Sequence, residues 1–527
     1  MRPLIMDYVI GSGPAGVACA QALLKRGASV QMLDAGLELE PERAQVVRDM
    51  SAVPPAAWSS AQMAVLKENT EVSSKGIVLK RLFGSDFPYR GADKHIRAEY
   101  HGVGLRPSLA LGGLSNVWGA AILPYLDSDL DAWPFKSAAL GEHYRAAVNI
   151  TGLAARHDDL ENLFPLNTTA PIPLQLGRQS RTLLENLERH RDELRRSGIL
   201  FGGARLAVRA TALPQADGCV YCGLCMYGCP YGYIYNSAET VRQMQTNKNF
   251  QYQSGVIVNG LREAGDRVEI EGYHANTQKK FRAEARRVYL AAGLIPTTKI
   301  LLQSQSVYDR PVLAHDSQYF LFPLLQRKRS LNVRSEALNT LSQLFLEIQN
   351  PRISPRTIHL QIYSFNEFIG EALRQSLGPL KFLAPQIEDR MLIVQGFLHS
   401  DHSASIRLNF KKASRVLEVS AELNPETPHV IRKVLRLLVR HAAKLGALVL
   451  PPMLQVAEPG RSFHSGGSFP MRTQPGPLES DVLGRPHGWQ RVHVVDASVF
   501  PSIPATAITL SVMANAHRIG CESATLA

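Results

Sequence analysis

The chain has 527 residues, of which 45% are hydrophobic and 20% charged, and its net charge is +12. That length and apolar content exclude a single small domain and a disordered chain, and they fit two closely joined domains. No apolar run reaches the ~18 residues of a membrane-spanning helix. No nucleic-acid motif accompanies the basic residues, whose simplest reading is a solvated face, with a long-range pull toward anionic substrates or a membrane surface as the alternative.

In chain order, the first signals form a β–α–β unit. Residues 6–10 read as a short apolar strand, 14–26 as a helix of small residues ending at Gly27, and 29–33 as a second strand. The chain begins on this unit with no space for a secretory leader, from which a cytoplasmic location is expected. Residues 40–105 read as irregular and polar. Helical spacing returns within 128–155 and again at 178–197. Residues 251–291 alternate like antiparallel strands, with a turn at Gly265-Asp266. Strand-like stretches at Ile358-His-Leu-Gln-Ile-Tyr and Met391-Leu-Ile-Val-Gln-Gly-Phe, with a helix over 427–445, make 310–450 a second, sheet-based region. A strand at 492–496 and a helix from about 507 close the chain.

The turn Gly11-Ser-Gly13-Pro14-Ala15-Gly16 follows the first strand and opens the helix, and Asp34 ends the second strand. Gly11 permits the tight turn, Gly13 lets the backbone approach a pyrophosphate, and Gly16 lets helix and strand pack closely. The helix N-terminus offers free N–H groups to the anion, and Asp34 is placed to accept from ribose hydroxyls. This pattern predicts a bound dinucleotide.

Six cysteines occur, and four of them fall in Cys219-Val-Tyr-Cys222-Gly-Leu-Cys225-Met-Tyr-Gly-Cys229-Pro230. This C-x2-C-x2-C-x3-C-P spacing matches the ferredoxin run that binds a [4Fe–4S] cluster. No second run exists, so one loop supplies all four ligands or only three, and a three-iron cluster stays open beside zinc and metal-free thiols. Cys19 reads as a buried helix residue, and Cys521 carries no assigned role.

The C-terminal stretch contains Ser462-Phe-His464-Ser-Gly-Gly467-Ser468, then Asp481-Val-Leu-Gly-Arg485, then Asp496-Ala497-Ser498-Val-Phe-Pro501, and a last helix. It resembles the glucose–methanol–choline (GMC) oxidoreductases. Leu111-Gly112-Gly113-Leu-Ser115-Asn116-Val-Trp118-Gly119 is similar to that family's second flavin loop, in the form found in bacterial sugar dehydrogenases. Leu290-Ala-Ala292-Gly293 is similar to the strand and turn beneath the flavin.

The resemblance implies an α/β fold in which an FAD-binding, Rossmann-like domain is interleaved with a substrate domain on an antiparallel sheet. The FAD-binding domain is expected over 1–155, 233–310 and 456–527, a helix-plus-cysteine insertion over 156–232, and the substrate domain over 311–455. The implied cofactor contacts are Gly11, Gly13, Pro14, Ala15, Gly16, Asp34, Gly112, Gly113, Ser115, Asn116, Trp118, Gly119, Ala292, Asp496, Ala497 and Thr506.

His464 matches the family's general base, which takes the hydroxyl proton while the flavin takes hydride. The implied activity is oxidation of an alcohol, with a sugar or polyol expected. A cluster would pass the electrons to a one-electron acceptor protein or a quinone. One departure stands out: the family's second catalytic His or Asn falls on Ala507. A lyase, isomerase or reductase that uses its flavin differently is the alternative. Thr506 and Thr509 are the nearest polar residues, and His517 lies too far along the helix to substitute.

Overall fold

The computed structural model describes residues 6–68, 79–211 and 217–523. The residues on which the absence of a leader was argued, 1–5, lie outside these, as does 69–78 of the stretch read as irregular.

The opening β–α–β unit forms as expected. Strand Asp7–Ile10 leads through helix Pro14–Lys25 to strand Val30–Leu33. These strands sit in a parallel five-stranded sheet in the order 492–494, 287–290, 7–10, 30–33 and 250–253. Strands drawn from both ends and the middle of the chain meet here, so the chain leaves this sheet and returns to it three times. Val9, Met32, Leu33, Val288, Leu290 and Val494 are shielded from solvent, the burial on both faces that parallel strands require. Helix 14–25 packs against the last helix, Thr509–Glu522. Their small residues make this contact close: a Cβ on Gly520 would stand 2.8 Å from that of Ala22.

An antiparallel meander (Val256–Ala264, Arg267–His274, Lys280–Ala285) precedes the return to the parallel sheet. The stretch 310–450 supplies most of a second large sheet. Its antiparallel order is 447–449, 319–326, 391–397, 358–363, 344–348 and 199–203, with 455–456 also pairing with 319–326. Strand Ile199–Gly203, grouped by sequence with the cysteine insertion, thus pairs here with 344–348.

Side-chain alternation gives this sheet two unlike faces. Phe320, Phe322, Leu324, Leu344, Leu346, Leu360, Ile362, Leu392 and Val394 pack with Leu183, Leu187, Val434 and Leu438 of the helices Arg178–Arg189 and Thr427–Arg440. Tyr319, Glu347, His359, Gln361, Tyr363, Gln395 and Phe397 occupy the other face. A mixed sheet (465–466, 312–316, 405–410, 417–422, 98–101) joins segments from distant parts of the chain.

The described parts of 40–105 are not irregular. They hold helices Pro41–Ser51, Ser60–Lys67 and Ala92–Ile96 and the strand Ala98–His101. The first helix buries only Met50 and the second only Leu66, so neither shows an apolar stripe in the sequence. What starts them is local: Pro41 at the first helical position, and the reciprocal capping of Ser59 with Gln62. The regions read as single helices at 178–197 and 427–445 each break once, near His190 and His441. Among the described residues, no helix is long and apolar enough to cross a membrane.

Candidate active site

A cavity of about 810 Å³ lies between the carboxyl ends of the parallel strands and the polar face of the large antiparallel sheet. Gly11, Gly13, Pro14 and Ala15 line one end. Gly11 has φ +104°, and a Cβ there would stand 2.4 Å from the Ala291 carbonyl oxygen. Gly16 does not reach the cavity. Its task is packing, since a Cβ would come within 1.9 Å of the Gly11 oxygen. The helix starting at Pro14 has no side-chain cap, which leaves its N–H groups free for an anion.

Asp34 accepts hydrogen bonds from Ser12 Oγ and, at 3.3 Å, from Tyr252 OH. Burial pushes its pKa up to about 7, and these bonds only partly offset the rise. A carboxylate so starved of solvent gains from the ribose hydroxyl donors expected beside it. Ser12 was not singled out from the sequence, yet its Oγ also accepts from the Gly112 N–H at 2.9 Å, tying the two glycine-rich loops together.

In the second loop Gly113, Ser115, Trp118 and Gly119 line the cavity. Gly112 and Asn116 stand behind it. Asn116 Nδ2 donates to the Leu111 and Gly113 carbonyls, and its Oδ1 accepts from Asn236 at 2.7 Å. Asn236, the cap of the next helix, is a support the sequence reading missed. Ala292, Asp496 and Ala497 also line the cavity. Asp496 accepts from the Gly293 N–H (2.8 Å) and from Thr297 (2.6 Å), which fixes the loop beneath the ring site. Thr506 is buried away from the lining, and its hydroxyl has no partner.

His464 reaches the cavity from a loop held by Asp316, which accepts from Ser465 Oγ at 2.8 Å and from the Gly460 N–H at 2.7 Å. The His464 N–H donates to Ser462 Oγ, and its carbonyl accepts from the Ser317 N–H. The imidazole stacks on Phe397, with centroids 5.1 Å apart. Its Nδ1 is buried without a hydrogen-bond partner. Burial, with a smaller push from His359, lowers its pKa to about 3. The ring is therefore neutral across the physiological range, the form that accepts a proton. Ala507 and Ile508 line the wall where the second polar group was sought.

Residues 415–516 match the model of the GMC oxidoreductase family. That segment is a GMC oxidoreductase C-terminal domain. The fold agrees over the whole chain. Pyridoxine 4-oxidase from Mesorbium loti superposes with a TM-score of 0.57 at 14% identity, covering 98% of both chains. A formate oxidase of Aspergillus oryzae RIB40 superposes with a TM-score of 0.60 at 15% identity, covering 98% of this chain and 97% of that one. No curated protein matches by sequence. The whole chain thus shares the fold of these two proteins, and the glycine turn, Asp34 and the open cavity suit an FAD cofactor.

A feature outside this GMC frame lies behind the second flavin loop. Cys219, Cys222, Cys225 and Cys229 all line one small pocket with Val208, Ile234 and Leu341, and all four are free thiols. Left-handed residues curl the loop around it: Tyr221 (φ +55°), Gly223 (φ +76°) and Gly228 (φ +124°). Burial and mutual repulsion push Cys219 and Cys222 up to about 12, so thiolates there call for a cationic centre.

Lys80 stands between the two sites. It lines the flavin cavity, donates to the Trp118 carbonyl at 3.0 Å, and lies within the electrostatic reach of Cys225 and Cys229. Trp118 Nε1 donates to the carbonyl of Tyr235, whose neighbour Ile234 lines the cysteine pocket.

Among the described residues, a group of side chains whose ligating atoms lie within 4.8 Å of one another is His143, His517 and Cys521. The two imidazoles share one hydrogen bond, Nδ1 to Nδ1 at 2.9 Å, and none of the three lines the flavin cavity.

Proposed function

We propose that this GMC oxidoreductase is a dehydrogenase that oxidises an alcohol carbon, of a sugar or polyol, and passes the electrons out through an iron–sulfur cluster held by Cys219, Cys222, Cys225 and Cys229. FAD, when bound, supplies the hydride acceptor. His464 takes the hydroxyl proton: the C–H hydrogen leaves with its bonding pair, and the oxygen's freed pair completes the carbonyl. Desolvation keeps His464 neutral, and its ring stacks on Phe397. Polar groups on the roof (Tyr319, Gln361, Tyr363 and Gln395) suit a substrate with several hydroxyls.

The observation that carries the cluster reading is the convergence of four free thiols on one pocket behind the flavin loop, with the half-buried Lys80 within electrostatic reach of two of them. A cluster there supplies one-electron chemistry, which suits a protein acceptor or a quinone. The test is to count iron and acid-labile sulfide in anaerobically purified protein and to add candidate alcohols under the same conditions. Bleaching of the flavin with about four irons per chain is expected for a [4Fe–4S] centre, and three irons would indicate a three-iron cluster.

Ala507 favours a second reading, a lyase, isomerase or reductase. Flavin that no alcohol bleaches, but that a low-potential donor reduces, would favour it.

A further inference from the structure

The wall at Ala507 offers no polar group, but the roof opposite carries one at the end of a buried chain. Glu347, His359, Gln361 and Tyr363 share the polar face of two paired strands, 344–348 and 358–363. Glu347 and His359 are both 0% exposed, and their side chains meet at 2.7 Å, Oε1 to Nδ1. His359 Nε2 lies 3.1 Å from the Gln361 amide nitrogen, and Tyr363 OH donates to the Gln361 amide oxygen at 2.9 Å. Gln361 and Tyr363 line the flavin cavity. The end of the chain lies at the flavin loop: a Cβ on Gly119 would stand 3.8 Å from the Tyr363 oxygen. Tyr363 and His464 line this same cavity, and Phe397 ties His464 to the roof, its ring 5.1 Å from His464 and 6.1 Å from His359.

Resting on the alcohol-oxidation reading, we infer that Tyr363 is the second polar group at the reacting oxygen, and that Glu347, His359 and Gln361 are positioning residues that set the polarity of its hydroxyl. The chain has two consistent hydrogen-bond patterns. With His359 neutral, its Nδ1–H donates to Glu347, its Nε2 accepts from the Gln361 NH2, and the Gln361 oxygen accepts from Tyr363. The tyrosine then presents only lone pairs to the cavity. With His359 doubly protonated beside ionised Glu347, Nε2 becomes a donor. The Gln361 amide must turn over, its NH2 faces Tyr363, and the tyrosine O–H is released to donate into the cavity. That donor meets the substrate oxygen as its proton leaves for His464, the help a second His or Asn would give.

A pair of paired charges is cheaper to hold in this buried place than one alone. The other charged or titratable groups felt by the pair are Arg205, which pairs with Asp158 at 2.8 Å, together with Asp129 and His464.

The test is anaerobic flavin bleaching by an alcohol that bleaches the native holoenzyme, measured on Y363F, E347Q and the double variant, with flavin content and Tm recorded for each. Y363F should slow bleaching about 100-fold with flavin content and Tm unchanged, the scale of one lost donor at a developing oxyanion. E347Q should slow it less, and should add nothing in the Y363F background, because both act through one hydroxyl. Q361L cuts the same chain at its middle and serves if E347Q does not fold. Y363F bleaching at the native rate, or E347Q and Y363F slowing it additively, would overturn the inference while leaving the alcohol-oxidation reading intact. Failure of every alcohol to bleach the native enzyme would overturn that reading instead.

Discussion

In the proposed reaction His464 takes the proton, and its surroundings define how it should respond to change. Replacing it with asparagine keeps the loop bonds, which use backbone atoms, and removes the proton acceptor. A loss of about 10²–10⁴-fold in the rate of flavin bleaching is expected, with FAD retained. Acid stability follows from the same burial. The folded ring titrates at about 3 and an unfolded histidine at ~6.5, so as pH falls between these values the unfolded chain takes up the proton first. This residue's contribution is fully present above ~6.5 and is lost progressively down to about 3. Tm measured from pH 7 to 4 should fall less steeply for His464→Asn than for the native chain, and equal slopes would contradict the assignment. The sequence pattern around 464 was enough to single this residue out. Its stacking partner Phe397 was not legible, because contact between strands 391–397 and 319–326 depends on register rather than on any local motif.

At the scale of elements, the glycine turns were readable because each glycine answers a backbone demand that no other residue meets. The structure separates their duties. Gly11, Gly13 and Gly113 face the cavity, whereas Gly16 and Gly112 make room for neighbouring backbone and side chains. Gly16→Ala is therefore expected to displace Gly11 and lose FAD, seen as protein purified without flavin absorbance, and full flavin content would contradict this. The supports behind the turns escaped the sequence reading. Ser12, Asn236 and Tyr252 lie far apart in the chain and act through side-chain hydrogen bonds, which leave no periodic signal. The helices at 41–51 and 60–67 were missed for a related reason: each fully buries one residue and begins on a cap or a proline rather than on an apolar stripe. The large sheet showed its alternation in the sequence, but which face was polar by purpose became clear only when Tyr319, His359, Gln361 and Gln395 came together across strands.

Over the whole molecule, hydrogen bonds link the linings of two pockets: Lys80 and Trp118 line the flavin cavity, Lys80 donates to the Trp118 carbonyl, and Trp118 donates to the carbonyl of Tyr235, next to Ile234 of the cysteine pocket. Serine at both Cys219 and Cys225 is expected to remove iron while sparing FAD and alcohol-driven bleaching, because neither cysteine touches the flavin cavity. Turnover with a one-electron acceptor would then fail, and iron retained in that variant would contradict the ligand set.

The most direct measurement of the central claim is an anaerobic reductive titration of the purified holoenzyme, counting the electrons taken up per bound flavin. A flavin beside one cluster should accept its own pair and one further electron, with loss of a broad visible absorbance in addition to the flavin bands. Uptake that stops at the flavin pair would show that the four cysteines hold no redox centre.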